Sequence, residues 1–110
     1  MARRTTISDE TTGGNVFADL GLPRPEQELL KAGLALQIYR IIKARHLTPA
    51  EAGKILGLTQ PQASLLVRNR AGNLSVDRLM GCLTALGHDV EILVRRTRKP
   101  RGQMSVGVAA

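Results

Sequence analysis

Between Thr59 and Arg70 the chain reads TQPQASLLVRNR, and its polar groups are amides, hydroxyls and guanidinium groups rather than nucleophiles or metal ligands. A glutamine side chain offers a donor and an acceptor side by side, the pairing that grips adenine at N6 and N7 in the major groove of duplex DNA. Gln60 and Gln62 are therefore the candidate specificity residues. Thr59 and Ser64 add hydroxyls, and Leu65 could touch a thymine methyl. Arg68, Asn69 and Arg70 follow where a chain would leave the groove, and with Lys54 and the backbone donors at helix N-termini they suit phosphate contacts that set register. No catalytic set competes with this reading. His46 and His88 fall at expected helix ends, and Cys82 lies beside an apolar stripe. A single cysteine permits no intramolecular disulfide and no cysteine pair for zinc. No catalytic residue, cofactor or metal site is expected.

Side chains of this kind read a groove only when a helix presents them, and within the body of the chain the surrounding sequence specifies four helices. The first is expected to start after Pro25, with Glu26 and Glu28 at the positive end of its dipole, and to run to about Ala44. Its buried stripe is Leu30, Leu34, Ile38 and Ile41 or Ile42. Thr48 caps the second, with Pro49 at the first helical position and Glu51 completing a capping box, and Gly57 ends it. Thr59 caps the third, Pro61 sits early in it, and Ala63, Leu66 and Val67 face inward. Ser75 caps the fourth, where Val76, Leu79, Met80, Leu83 and Leu86 form one stripe before Gly87. The second and third helices, crossing at small residues Ala52 and Gly53 around a glycine turn, have the form of a helix-turn-helix. After the fourth helix Val90, Ile92 and Val94 alternate with Glu91, Leu93 and Arg95, the period of a β-strand. This strand, opening with Asp89 and closing with Arg95, has no second strand in the sequence and should pair with another chain. The fold class expected is all-α: a compact four- to five-helix repressor-like bundle with one C-terminal strand pairing across a dimer.

The 110 residues fit one domain, and 16 Lys and Arg against nine Asp and Glu give a formal charge of +7 that favours a polyanionic partner. The scarcity of aromatics, only Phe17 and Tyr39, argues against base-stacking platforms for single strands. Residues 1–23 read as a flexible N-terminal arm, residues 24–95 as the DNA-binding domain with its terminal strand, and residues 96–110 as a basic disordered tail. That tail holds Arg95's successors Arg96, Arg98, Lys99 and Arg101 without an acid, and either lies along phosphates or aids solubility. No apolar run is long enough to span a membrane, and the charged start has no apolar stretch behind it, so a soluble cytoplasmic protein is expected.

The stretch from Leu47 to Arg70 resembles the Cro and phage-repressor, or xenobiotic-response-element (XRE), type of helix-turn-helix. Gly53, Gly57, Leu58, Ala63 and Leu66 stand where that family places its small, turn and apolar residues. The resemblance implies a regulator that binds double-stranded operator DNA. One departure is Pro49, which stands where family members often hold a phosphate with glutamine, so that contact falls to Thr48 or is missing. A narrower resemblance joins GGNVFADLGLP, QPQASLLVRNR and LTALGHDVEILVRR to small antitoxins of the HigA type, and implies a protein that represses its own operon and neutralises a RelE-like toxin. In the arm, Val16, Phe17, Leu20 and Leu22 either capture such a partner or cover the protein's own core. A single module reads few base pairs, so a homodimer through residues 89–95 and the fourth helix is expected, spanning half-sites about 34 Å apart. Two alternatives remain: a stand-alone repressor without a toxin, and a small basic ribonuclease toxin, which would need a multi-stranded sheet.

Overall fold

The computed structural model describes residues 24–109. The expectations for the arm, including its four apolar anchors, lie outside the described residues.

Among the described residues four helices form: α1 (Arg24–Ala44), α2 (Pro49–Leu56), α3 (Gln60–Val67) and α4 (Val76–Ala85). α2, α3 and α4 begin where their caps predict, whereas α1, expected to start after Pro25, is helical from Arg24. Thr48, Thr59 and Ser75 each accept a backbone N–H from the third residue of the helix they precede. The way the helices end is more uniform than their sequences suggest. Ile42 O accepts from Leu47 N–H at 3.1 Å, Gly53 O from Leu58 N–H at 3.0 Å, Leu65 O from Arg70 N–H at 2.9 Å and Leu83 O from His88 N–H at 3.0 Å. All four are the long backbone bonds of a Schellman-type end, which requires one left-handed residue inside the loop. Gly57 and Gly87 supply it at φ of 65° and 85°, as their positions predict. His46 and Asn69 supply it for α1 and α3 at 55° and 61°, a role the sequence reading gave to neither.

α1 lies along α4, α2 crosses α3, and α3 also meets α1. Ile38 and Ile42 from α1, Leu66 from α3, and Leu79 and Leu86 at α4 are fully buried at the centre, with Ala52 of α2 closing one side. Burying a side chain of that size contributes about 1.5–3 kcal/mol, so this small set dominates the stability of so short a chain. The α1 stripe resolves in favour of Ile42, while Ile41 is only partly buried against the core. The Arg45 guanidinium donates to the Leu86 carbonyl and ties the end of α1 to the end of α4.

Two observations concern the C-terminus. No strand forms over residues 89–95 within one chain. A strand needs a hydrogen-bonded neighbouring strand, and residues 89–95 are not part of one here. The segment is extended, with Val90 packed on the core and Leu93 and Val94 exposed by 63% and 77%. The residues beyond 96, expected as a disordered tail, instead return to the body. Met104 and Val106 pack against the core cluster, and Arg101 pairs with Glu26 at 3.3 Å. Apolar residues at alternate positions give the tail something to bury, and the set of Met104, Val106 and Val108 is the signal that sequence reasoning passed over.

Candidate nucleic-acid interface

The unit that presents the candidate side chains is the α2–turn–α3 pair. At the crossing, a Cβ added to Gly53 would lie 3.3 Å from the Leu58 carbonyl oxygen and 3.5 Å from the Ala63 Cβ. Only a residue of glycine's size lets the helices come this close without a shift. Ala52, Ala63 and Leu66 are fully buried beneath the crossing. The inner side of α3 is thereby fixed.

Its outer side follows from the helical repeat. Gln60, Ser64 and Arg68 succeed one another at intervals of four and share one face. Gln60 and Arg68 are exposed and Ser64 is half-buried. The Arg68 Nε–H donates to the Ser64 carbonyl at 3.3 Å, which holds the base of that side chain against the last turn of α3. Arg68 and Gln60 thus stand about 12 Å apart along the helix, at a rise of ~1.5 Å per residue. One end carries an exposed amide and the other an exposed cation.

The two glutamines, expected to act alike, are placed differently. The Gln62 Oε1 accepts the Thr59 N–H at 3.1 Å, and the Thr59 Oγ1 accepts the Gln62 N–H at 3.4 Å. This is a second capping box, and it engages the acceptor that a bidentate grip on adenine would need. The Gln60 side chain is exposed and takes no part in that box. The signal was present in the sequence, because Thr-x-x-Gln has the same box spacing as the Thr-x-x-Glu recognised at Thr48. Leu65 is also less available than expected. A Cβ added to Gly72 would lie 2.7 Å from its Cδ1, so the Leu65 side chain folds over the α3–α4 loop. Asn69 contributes a left-handed backbone at the end of α3, and Arg70 is exposed beside it.

The N-termini of α2 and α3 complete the surface. Thr48 Oγ1 accepts the Glu51 N–H at 3.2 Å, and the Glu51 carboxylate accepts the Thr48 N–H at 2.9 Å. These bonds to the charged form hold the Glu51 carboxyl below its ordinary pKa. The Thr48 hydroxyl still has its own proton to donate, which suits the phosphate contact that Pro49 cannot make. Among the described residues the backbone N–H groups of Ala50 and Gln60 have no acceptor. Both lie in first turns, where the helix dipole favours an anion. Lys54 is exposed on α2.

The discounted chemistry looks no better in three dimensions. Cys82 is buried, and desolvation pushes its thiol up against the smaller opposing effect of Arg78, which keeps it protonated and poorly nucleophilic. Among the described residues no group of three or more His, Cys, Asp or Glu could hold a metal ion, and no helix is long and apolar enough to cross a membrane.

Comparison with known proteins agrees with this geometry. The family model described as a helix-turn-helix domain matches residues 16–95. A solved structure named "Putative XRE Family Transcriptional Regulator" is similar at 35% identity and a TM-score of 0.68, covering 80% of this chain and 99% of that one. None of the curated proteins matches.

Proposed function

The chain belongs to the helix-turn-helix family of XRE-type transcriptional regulators, and on that footing we propose that it is the antitoxin of a toxin–antitoxin pair, repressing its own operon and neutralising a RelE-like toxin. The observation that bears most weight is the exposed Gln60–Ser64–Arg68 face of α3, backed by buried Ala63 and Leu66. Gln60 reads a base edge, and Arg68, Arg70, Lys54, Thr48 and the first-turn N–H groups contact phosphates on either side. Ser64 and Thr59 lie within reach of the backbone or a flanking base.

A two-fold dimer gives the protein two half-sites. Residues 89–95 supply one dimer surface, since Ile92, Leu93 and Val94 form a consecutive exposed apolar run at 38%, 63% and 77%. α4 supplies another, where Gly81 has open space above it and Ala85, four residues on, is exposed. The antitoxin role is supported by the HigA-type pattern in the arm, the recognition helix and the LTALGHDVEILVRR ending.

Two experiments separate the parts of this reading. The protein should retard a fragment of its own upstream promoter, and the Gln60→Ala with Gln62→Ala variant should lose that shift. An unchanged footprint in the variant would remove the groove assignment. Co-expression with the product of an adjacent small reading frame should restore growth that this product arrests. If the protein shifts the promoter while no neighbouring frame is toxic, the chain is a stand-alone regulator.

A further inference from the structure

The last acidic residue of the chain is Glu91, and the five cations Arg95, Arg96, Arg98, Lys99 and Arg101 follow it, crowded into residues 95–101. A run of that kind near a chain end is ordinarily a mobile tail. Here both of its ends are fastened. Val90 packs on the core before it, and Met104 and Val106 pack on the core after it. A Cβ on Gly33 would lie 2.9 Å from the Val106 Cγ2, a separation that real Cβ atoms essentially never show, so α1 keeps a glycine-sized notch where the valine seats. Between the fastenings, Thr97 Oγ1 accepts the Lys99 N–H at 3.2 Å, and Arg101 pairs with Glu26 at 3.3 Å. The cations therefore stand on a closed turn, and all five residues are exposed.

The helices fix where that turn lies. α1 lies along α4, and the Arg45 guanidinium on the Leu86 carbonyl joins their C-terminal ends, so the two helices run in the same direction. α1 has 21 residues and α4 has 10, so α1 projects about 16 Å past the start of α4, at ~1.5 Å per residue. Glu26 lies in that projection, and Arg101 brings the turn to it. The start of α4 is also where the chain arrives from α3 through Arg68, Asn69 and Arg70. The basic turn thus stands at the same end of the α1–α4 layer as the loop that leaves α3.

Like charges held this close repel one another, and a polyanion that spans them relieves the repulsion. Duplex DNA presents one phosphate charge per ~1.7 Å of helix axis, and its backbone continues past the base pairs that α3 faces. Resting on the operator-binding reading above, we propose that Arg95, Arg96, Arg98 and Lys99 form a second phosphate-binding element, which contacts the duplex backbone outboard of the base pairs read by α3. Arg101 is its anchor rather than a contact. Because the turn is fastened before DNA arrives, it meets phosphates at a fixed offset from α3, with less ordering entropy to lose than a loose tail.

The test uses the full chain and its own upstream promoter fragment, with affinity measured over a range of salt concentrations and hydroxyl-radical footprints recorded beside it. Arg95→Gln, Arg96→Gln, Arg98→Gln and Lys99→Gln, combined in one variant, should make the slope of log K against log salt shallower by about 3–4, at ~0.9 per phosphate. The footprint should lose its outermost protected sugars and keep those over the base pairs facing α3. Preference for the promoter over unrelated duplex should persist, because phosphate contacts carry no sequence information. An unchanged slope, or a shallower slope with the outer protection intact, would overturn the proposal and leave the turn to an acidic protein partner. A wild-type chain that gives no footprint would instead remove the operator reading itself. Gly33→Val supplies a second readout, since it keeps every charge and closes the Val106 notch. It should lose the same outer protection while the protection facing α3 and the helix content by circular dichroism are retained. Outer protection that survives in Gly33→Val would show a loose tail at work and overturn the anchored turn.

Discussion

From Thr48 to Val67 every change of direction is closed by a residue within five positions of it: Thr48 with Glu51, Gly53 with Leu58, Thr59 with Gln62. Beyond His88, a local closure of this kind is the turn where Lys99 N–H donates to Thr97 Oγ1 at 3.2 Å. Their path is set by contacts with the far end of the chain, Val106 on Gly33 and Arg101 on Glu26. The helix-turn-helix is therefore shaped by its own local closures, and the C-terminal extension by contacts with residues distant in sequence. A regulator gains from this division. The part that must match a rigid duplex arrives already shaped, which limits the ordering entropy lost on binding. In the proposed dimer, the part that would assemble copies can remain responsive to concentration.

The contrast can be broken most severely from beneath. Leu66→Ala should cost about 2–5 kcal/mol in urea denaturation and abolish promoter binding along with it, because α3 is held in place by that side chain. A variant that stayed folded with native stability would mean that the crossing is secured elsewhere. Sharper separation comes from Gln60→Ala. It should weaken operator binding by about 1–3 kcal/mol in a titration against competitor DNA, with the melting temperature unmoved. Equal losses on operator and unrelated DNA would show that Gln60 reads no base.

Thr59→Ala should behave in the opposite way, lowering stability by about 1 kcal/mol through loss of the second capping box, with any effect on DNA following from a frayed α3. Gln62→Ala belongs with Thr59, and a pure binding defect in it would restore Gln62 to the groove. His46→Gly should raise stability by about 0.5–1 kcal/mol in thermal melts, since glycine adopts the left-handed conformation without strain. A drop would mean that the imidazole packs more usefully than its backbone suffers. The smallest effect concerns acid. The Glu51 carboxyl is held low, so its cap contributes above the ordinary carboxylate range near ~4.3 and is lost as pH falls through the depressed folded value. Glu51→Gln should remove this sensitivity in melts compared at neutral and acid pH, and identical pH profiles would show that the box carries no charge dependence.

Much of the reading head was legible in advance. The caps Thr48, Thr59 and Ser75, the turn at Gly57 and the inward set Ala63, Leu66 and Val67 all follow from spacing rules that act over one helical turn. Gln62 shows where that legibility stopped. Its side chain can satisfy either a backbone donor or a base, and spacing alone does not say which demand is met first. Leu65 poses the same problem in apolar form, as its choice between groove and loop depends on how Gly72 approaches.

The sequence by itself determined the four helices, the two-helix crossing and the basic character of the surface, because capping, periodicity and net charge are properties of neighbours along the chain. Only the tertiary structure decided which glutamine is free, that His46 and Asn69 carry the left-handed turns, and that the tail returns to a notch at Gly33. Each of those depends on two groups distant in sequence, or on two local demands in competition, and such outcomes are settled by packing and hydrogen-bond satisfaction across the whole fold.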